Sequence, residues 1–469
     1  MHDAVSSRSD LNNEVNEPPM YHSHYFATHL ADSAVTELFG DRSMFRAWLR
    51  VEVALAAAQA RVGIVPEEAA AEIAAVAKLS NLDLTAMQEE YKSVGFPILP
   101  LVHQLAKACD TEAGRWVHFG ATTQDIIDTG LVLQVREALR LVEHDLDRIL
   151  SALCRLTETH RDTVMVGRTF QQHAAPITFG LKSAIWLDEL LRHKSRLSHI
   201  RPTVLRTSLG GAVGTLATLQ DKGAAVSIEL AKELELDCPP ISWHTSRDGW
   251  AELLFWAAAV GATLAKIATE VATLMRTEVD ELHEPYAPGK GASSTMPQKR
   301  NPTAAPPMIA IGTRLRDLVG SQLAAMIQEH ERAVGAMPIE WMVIPESLIL
   351  LSGSVARGAE TLEGLTVNAD RMHENLISRG DFFMSESVMM ALASTIGKGA
   401  AHELVTDAAS RAREEGTSLR EQLLADRTIL ERISKDAIEE ALIPSNYLGA
   451  TGAMISAVLD RAMSMGVTR

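Results

Sequence analysis

The sequence predicts an all-α protein built around a central bundle of long helices. Three observations support this class: alanine is abundant, aromatic residues make up only 5% of the chain, and apolar residues recur at helical spacing over long stretches. The alternating patterns that are typical of strands are absent from the sequence. At 469 residues, the chain can bury a large core and divide into several domains.

The first strong helical pattern covers residues 43–62, with apolar side chains on one face. A second helix is expected over residues 66–78, because Gly63 suits the end of the first helix and Pro66 suits a first turn. One glycine and two prolines then interrupt the pattern over residues 95–100. We therefore predict a short N-terminal helical domain.

The middle of the chain predicts the longest helices. Residues 124–160 contain no proline, and their apolar residues repeat every three or four positions, which gives a helix longer than about 50 Å. Comparable patterns cover residues 176–200, 247–279 and 307–334. Such a succession indicates a bundle, whereas a coiled-coil rod would need sustained heptads that the sequence lacks.

These patterns predict three helical domains behind a flexible polar tail. The tail covers residues 1–19, and the N-terminal helical domain follows at residues 20–116. The central long-helix bundle spans residues 117–364. Helices shorten and glycines punctuate them in the C-terminal domain, residues 365–469.

Composition excludes several classes of partner. The net charge of −16 argues against nucleic acid and against an anionic membrane surface. The longest uncharged apolar stretch, residues 253–265, is shorter than the roughly 20 residues that a membrane span needs. The N-terminus lacks the apolar core of a secretory signal, and three scattered cysteines predict reduced thiols without a metal-ligand pattern. A cytoplasmic location is therefore expected.

One loop carries the most specific signal in the chain. Residues 291–302 read Gly-Ala-Ser-Ser-Thr-Met-Pro-Gln-Lys-Arg-Asn-Pro. Serine, Lys299 and Asn301 together can bind an anion and remove a proton from a neighbouring carbon, and the prolines restrict the shapes of the loop. A plain flexible linker has no need of this combination.

Three further polar segments interrupt the helical pattern. Residues 118–125 place Thr122 and Thr123 where a helix begins, so these hydroxyls either cap the helix or bind a carboxylate there. Residues 242–248 are equally consistent with a capping loop and with a functional one. A charged run at residues 329–332 is either a solvated helix face or part of a site.

The remaining segment, residues 167–176, gathers Arg168, Thr169, Gln172 and His173 just ahead of a predicted helix. Histidine titrates near neutrality, so His173 is a candidate general acid. A lone histidine is commonly structural, but its polar neighbours at an expected helix start favour a functional role.

These residue types suit the removal of a proton next to a carboxylate. The product is an aci-carboxylate with a second negative charge, which aimed donors and cations must stabilise. Serine is a poor base unless nearby positive charge and amide dipoles lower its pKa, and Lys299 with the loop backbone can do so. Hydrogen bonds to substrate carboxylates would come from Asn301, Thr122, Thr123 and Gln172. His173 would then manage the leaving atom on the adjacent carbon.

The loop pattern Ser-Ser-x-Met-Pro-x-Lys-x-Asn-Pro resembles the signature of the fumarase/aspartase superfamily, and residues 120–125 and 168–174 resemble two other segments of that family. The resemblance implies that Ser293 is the catalytic base and that no metal or organic cofactor is needed. It also implies a homotetramer with a shared multi-helix core, in which three subunits build each active site. The candidate site comprises the catalytic residues Ser293 and His173 and the substrate-binding residues Thr122, Thr123, Arg168, Thr169, Gln172, Lys299, Asn301 and Arg332.

Within this superfamily, the sequence is most similar to 3-carboxy-cis,cis-muconate cycloisomerases. The similarity rests on residues 168–174, on Trp-His-Thr-x-Arg-Asp at 243–248 and on Glu-His-Glu-Arg at 329–332. Two positions depart from that branch, since Phe170 stands where tryptophan is usual and Gln298 where histidine is usual. Adenylosuccinate lyases carry a histidine at the first of these positions, so phenylalanine argues against that activity.

The resemblance implies an enzyme that acts on a small anionic polycarboxylate through an aci-carboxylate, with β-elimination or addition. The nearest named reaction is 3-carboxy-cis,cis-muconate cycloisomerisation. The two departures keep open a C–N lyase or an epimerase for an N-substituted aspartate or iminodisuccinate-type substrate. A non-catalytic helical scaffold is a third reading, which the intact set of Ser293, Lys299, Asn301 and His173 disfavours.

Overall fold

The structure is a computed structural model that describes residues 24–292 and 295–468. The N-terminal helices are α1 (His24–Leu30), α2 (Ser33–Leu38), α3 (Asp41–Arg61), α4 (Glu67–Val76), α5 (Leu84–Val94) and α6 (Ile98–Ala108). The long helices that follow are α7 (Thr123–Thr159), α8 (Phe179–Val204), α10 (Asp248–Leu274), α11 (Ala305–Ala325) and α12 (Ala336–Glu363), with the shorter α9 (Gly223–Leu234) among them.

Shorter helices complete the C-terminal part. They are α13 (Ala369–Ile377), α14 (Ser385–Ile396), α15 (Lys398–Glu415), α16 (Leu419–Ala425), α17 (Arg427–Leu430), α18 (Lys435–Ala441) and α19 (Thr451–Ser464). Four short strands form two antiparallel pairs: β1 (Val164–Thr169) with β2 (Gln172–Thr178), and β3 (Leu282–His283) with β4 (Thr366–Val367). The predicted all-α class is confirmed.

Most predicted helices agree with the structure, because the helical spacing of apolar residues can be recognised in the local sequence without knowledge of tertiary contacts. Helices α3, α4 and α7 begin and end within about two residues of their predicted bounds, which is the usual uncertainty of a helix end. The prediction for residues 307–334 was too long, since α11 ends at Ala325 and the charged run at residues 329–332 lies in the following turn.

The hairpin of β1 and β2 is an element that the sequence did not predict. Two residues, Phe170 and Gln171, join its strands, and both have positive φ, at 49° and 64°. Positive φ at both central residues suits a two-residue hairpin turn, but neither residue is the glycine, asparagine or aspartate that normally signals it. The prediction that His173 lies at a helix start is therefore wrong: it lies in β2, and α8 begins at Phe179.

The described chain divides into two compact units. The first contains residues 24–146, 193–265 and 307–357, and the second contains the remaining described residues. The boundaries of these two units differ from those of the three domains predicted from the sequence, and the three-domain division remains a prediction. The core of the first unit includes Trp48, Leu55, Ile73 and Leu101, whereas the C-terminal core of the second includes Val388, Leu392, Leu423 and Ile438.

Two described helices, α10 and α12, are long and apolar enough to cross a membrane by length and composition alone. The sequence pattern did not lead us to expect any. However, 67% and 61% of their most apolar windows are buried inside the protein. Such burial is what the core helices of a helical bundle show, because their apolar faces pack against other helices.

Candidate active site

The N-terminus of α7 places Thr122 and Thr123 beside a buried carboxylate. Asp125 lies in the first turn and is 1% exposed, and its Oδ2 accepts a hydrogen bond from the Thr122 N–H at 3.0 Å. The same carboxylate accepts the N–H groups of Gly210 and Gly211 at 2.8 and 3.0 Å. Within the described chain, no hydrogen bond occupies either threonine hydroxyl, so both remain available to a ligand at this helix start.

Asp125 also pairs with His244, from the polar segment that precedes α10. Nε2 of His244 lies 2.6 Å from Oδ1 of Asp125, and the imidazole is buried. Its Nδ1 is buried as well and has no partner among the described residues. The tautomer that satisfies this pair therefore carries its proton on Nε2 and donates it to the carboxylate.

Arg247, which directly precedes α10, is the centre of a buried charge network. This network includes Asp128, which lies about one turn after Asp125 in α7. Nη1 and Nη2 of Arg247 donate to Asp128 at 2.8 and 2.9 Å, and its Nε donates to Glu340 of α12 at 3.0 Å. Burial alone would lower the pKa of Arg247, but the two carboxylates outweigh it and raise the pKa. Burial raises the pKa of Glu340 despite its hydrogen bonds to Arg247, and the charge of Asp128 adds to this effect. The network fixes the first two turns of α7 against α10 and α12.

Gln124 attaches the predicted substrate-binding residue Arg332 to the same helix start. The Nε of Arg332 donates to Oε1 of Gln124 at 2.9 Å, and the Gln124 amide donates to Asp128 and to the His244 carbonyl. Nη2 of Arg332 is buried and has no partner among the described residues. Thus the turn after α11 carries Arg332 to the segment that presents Thr122 and Thr123.

A second histidine, His118, lies close to this segment in the chain and pairs with the buried Glu52 of α3. Its Nδ1 is 2.6 Å from Oε1 of Glu52, and its backbone N–H donates to Oε2 at 3.1 Å. Burial alone would lower the pKa of His118, but the adjacent carboxylate outweighs it and raises the pKa. The carboxylate of Glu52 therefore favours the cationic form of His118.

In the second unit, Arg168 of β1 is engaged by a buried glutamate. Its Nη1 and Nη2 donate to the two oxygens of Glu281 at 2.9 and 2.6 Å, and Asn375 of α13 donates to the same carboxylate at 2.8 Å. Glu281 is fully buried. This fork fixes the end of β1 next to the hairpin turn. The substrate-binding role of Arg168 remains a prediction.

The tip of the hairpin exposes the other residues predicted in this segment. In the strand register His173 faces Arg168 and Gln172 faces Thr169, while the Phe170 side chain between them is 99% exposed. Partial desolvation lowers the pKa of His173, and the charges of Arg168 and Arg379 lower it further against the opposing effect of Glu281. These effects favour the neutral form of the His173 imidazole.

The signature loop is closed at its neck by a glycine and an asparagine. The Gly291 carbonyl accepts hydrogen bonds from the Asn301 N–H at 3.0 Å and from its side-chain amide at 3.2 Å. Gly291 has a φ of +72°, and a Cβ there would collide with the Asn301 carbonyl, so only glycine fits. Lys299 and Gln298 are exposed on this loop. Ser293, the predicted base, lies outside the described residues.

Glu284 anchors the loop where it joins α11. Its buried carboxylate accepts the N–H groups of Thr303 at 2.7 Å, Ala304 at 3.0 Å and Ala305 at 3.1 Å, and so caps the helix. Glu281 and Glu284 therefore flank β3, one holding the hairpin and the other the loop. This short strand organises both segments of the second unit that carry predicted site residues.

The sequence did not single out the carboxylates that build this framework. Glu52, Asp125, Glu281 and Glu284 are each buried and each orients a predicted site segment. Asp125 was visible as the last residue of the Gly-Ala-Thr-Thr-Gln-Asp motif. The three glutamates carry no local signal, because an isolated glutamate is normally a solvated surface residue. Within the described residues, no group of three or more His, Cys, Asp or Glu side chains is arranged to hold a metal ion.

Comparison with known proteins shows the family. A family model described as lyase matches residues 27–316, and a model described as adenylosuccinate lyase C-terminus matches residues 381–458. The 3-carboxy-cis,cis-muconate cycloisomerase of Pseudomonas aeruginosa is 40% identical over 444 residues, which cover 94% of this chain and 97% of that protein. The N-acetyl-S-(2-succino)cysteine lyase of Dickeya dadantii is 34% identical, with 94% of this chain and 99% of that protein covered.

A solved structure agrees with these relatives. The crystal structure of 3-carboxy-cis,cis-muconate lactonizing enzyme from Pseudomonas putida matches with a TM-score of 0.89 at 38% identity, covering 94% of this chain and 99% of that chain. The chain therefore belongs to this lyase family, the fumarase/aspartase superfamily of enzymes, as its signature loop predicted.

Proposed function

We propose that this enzyme interconverts a small polycarboxylate and its product by moving a proton next to a carboxylate, and that its reaction is the cycloisomerisation of 3-carboxy-cis,cis-muconate. One observation carries the choice of reaction: nearly the whole chain is similar to proteins with that named activity, at 38–40% identity. The open hydroxyls at the start of α7 and the nearby Arg332 support carboxylate binding.

The chemistry fits the residue types of the proposed site. In lactone opening, Ser293 removes a proton next to a carboxylate, the aci-carboxylate forms, and a carboxylate leaves the adjacent carbon. In lactone formation, the carboxylate oxygen adds to the double bond and the proton returns to carbon. Lys299, Asn301, Thr122, Thr123, Thr169, Gln172 and Arg332 are the proposed ligands of substrate carboxylates.

His173 favours this reaction over amine elimination. A departing carboxylate is stable as an anion and needs no proton, whereas a departing amine needs a general acid. The lowered pKa of His173 disfavours the cationic imidazolium that such an acid requires. We therefore propose that His173 orients the substrate through hydrogen bonds in this reaction rather than protonating a leaving group.

The decisive experiment is an assay of purified enzyme with 3-carboxy-cis,cis-muconate, followed by the loss of its ultraviolet absorbance, with Ser293→Ala as the control. Loss with the wild-type enzyme alone supports the proposal. Intact muconate in the presence of folded wild-type enzyme overturns it. A scaffold without activity would turn over none of a panel that also holds adenylosuccinate, argininosuccinate, aspartate, iminodisuccinate and fumarate with amines.

A second candidate is a lyase or epimerase of substituted succinates. Phe170 and Gln298 favour it, because both depart from the cycloisomerase pattern and both side chains are exposed on predicted site segments. The similarity to a succinocysteine lyase also supports it. Proton NMR in D2O distinguishes the two candidates: deuterium in a succinyl carbon, or the appearance of fumarate, with muconate unchanged selects this one.

The enzyme is further proposed to be a cytoplasmic homotetramer. A groove of about 530 Å³ on α10 and α11 is lined mostly by apolar residues, of which Phe255 is 65% exposed and Ile309 is 37% exposed. A second copy of the same helices is the occupant that a shared helical core requires. Light scattering after size exclusion tests this: Phe255→Glu is expected to reduce the mass, and a monomeric wild type overturns the proposal.

A further inference from the structure

We propose that His244 is a positioning residue that acts through Asp125 to hold Thr122 and Thr123 in the orientation that binds a substrate carboxylate. This inference rests on the proposed function, because it requires the start of α7 to bind a carboxylate. His244 itself is buried and makes no direct contact with a ligand in this scheme.

Three separate segments converge on the Asp125 carboxylate. Its donors are the Thr122 N–H at the helix start, the N–H groups of Gly210 and Gly211, and Nε2 of His244. The first three are backbone groups, so His244 supplies the side-chain donor in this set. Without His244, the carboxylate would lose the partner that sets its rotation, and Thr122 would follow that rotation.

The packing around the pair leaves little room for another arrangement. A Cβ on Gly210 would lie 2.7 Å from Cε1 of His244, so the ring packs directly on the backbone of the glycine turn. A Cβ on Gly211 would lie 3.1 Å from the Gly120 carbonyl, two residues before Thr122. A displacement of the imidazole is therefore transmitted to both sides of the threonine segment.

The unpartnered nitrogen argues against a purely structural role. Burying Nδ1 of His244 without a hydrogen bond destabilises the fold, because the nitrogen loses its contact with water. An apolar side chain of similar volume would avoid that loss. A role for Nε2 in orienting Asp125 accounts for a histidine at this position.

The test separates positioning from stability by kinetics and by ligand binding. We expect His244→Leu to raise KM by about tenfold, with a much smaller change in kcat, because a charge-assisted hydrogen bond that orients a binding group is lost. His244→Gln, whose amide nitrogen reaches as far as Nε2, is expected to restore most of the affinity. Binding of tricarballylate, an unreactive tricarboxylate, is measured in parallel by calorimetry.

Thr129 provides the matched control. Its hydroxyl donates to the Ser208 carbonyl at 3.0 Å and accepts the Ser208 N–H at 2.8 Å, so it links α7 to the same glycine segment about one turn below Asp125. Thr129→Val should lower the unfolding temperature and leave KM and the Kd for tricarballylate unchanged. If it raises KM as His244→Leu does, the link is structural and the inference fails.

The remaining outcomes are also decisive. Unchanged KM and tricarballylate binding in folded His244→Leu overturn the positioning role and leave the proposed function intact. The positioning role is also overturned if the wild-type enzyme turns over muconate while Thr122→Val and Thr123→Val both bind tricarballylate as tightly as the wild type does. If His244→Leu does not fold, His244→Asn replaces it in the test. The asparagine amide is too short to reach Asp125, whereas the glutamine amide of His244→Gln reaches it. We then expect the KM of His244→Asn to be about tenfold above that of the wild type, as for His244→Leu.

Discussion

The predicted site segments of the first unit and those of the second unit differ in how firmly their polar groups are held. The α7 cluster, which comprises Asp125, Asp128, His244, Arg247 and Glu340, is buried, and each charged side chain in it has an oppositely charged partner. The exposed segments are the tip of the hairpin at residues 169–173, which adjoins the Arg168–Glu281 pair, and the described loop residues 285–292 and 295–302, which the Gly291–Asn301 contact and the Glu284 cap anchor. The cluster is therefore organised before a ligand arrives, whereas the exposed segments present side chains that a ligand or another copy can still engage.

Removing the central cation of the α7 cluster should have the largest effect on stability. Arg247→Met leaves Asp128 and Glu340 buried without a counter-charge, which should lower the free energy of unfolding by about 3–5 kcal/mol. Urea denaturation measures this. Arg115→Met is the control, because Arg115 and Glu112 form an exposed pair and should contribute less than about 1 kcal/mol. Equal losses in the two variants would contradict a difference between buried and exposed charge.

The exposed segments should show the opposite pattern, with a loss of activity at constant stability. We expect Lys299→Met to lower kcat/KM by about a hundredfold or more, because a cation that stabilises the aci-carboxylate is lost. Its unfolding temperature should equal that of the wild type, since the side chain is exposed. Lys290→Met changes the same charge in the same loop and should have a much smaller effect on the rate. A comparable loss in both variants would show that only the overall charge of the loop matters.

Glu284 lies where a buried anchor supports an exposed segment, so its replacement should affect both properties moderately. Glu284→Gln keeps the size but weakens the acceptor for three N–H groups, which should destabilise the base of the loop by about 1–3 kcal/mol. Limited trypsin digestion should then cut faster after Lys290, Lys299 and Arg300. The exposed Glu278→Gln is the control. An unchanged cleavage rate in Glu284→Gln would show that the loop does not depend on this anchor.

The smallest expected effect concerns the pair of His118 and Glu52, whose contribution to the stability of the fold depends on pH. The pKa of His118 is raised above the ordinary value of 6.5, so its stabilisation is fully present below pH 6.5 and is lost as the pH rises through the raised pKa. His118→Asn keeps a donor and tolerates the positive φ of 61° but does not titrate. Its deficit in unfolding temperature should shrink from pH 6 to pH 9, and a constant deficit would contradict the ion pair.

Much of the fold was predictable because it depends on local periodicity. The apolar repeat of residues 124–160 predicts α7 within one residue at each end, since a helix satisfies its backbone hydrogen bonds within itself. The hairpin at residues 164–178 was missed, because its turn residues Phe170 and Gln171 are not typical of a two-residue turn. The two strands are too short to show a recognisable alternation of apolar and polar residues. Their pairing therefore depends on contacts that form only in the folded protein.

For the site, the sequence by itself determined the signature loop, the threonines at the start of α7 and the membership of the lyase family, because these depend on unusual residue combinations. Only the tertiary structure decided which carboxylates hold them. Asp125 meets His244 across 119 residues, and Arg168 meets Glu281 across 113. A single glutamate or histidine is chemically ambiguous in a sequence, and it acquires its role when folding removes water and leaves one partner within reach.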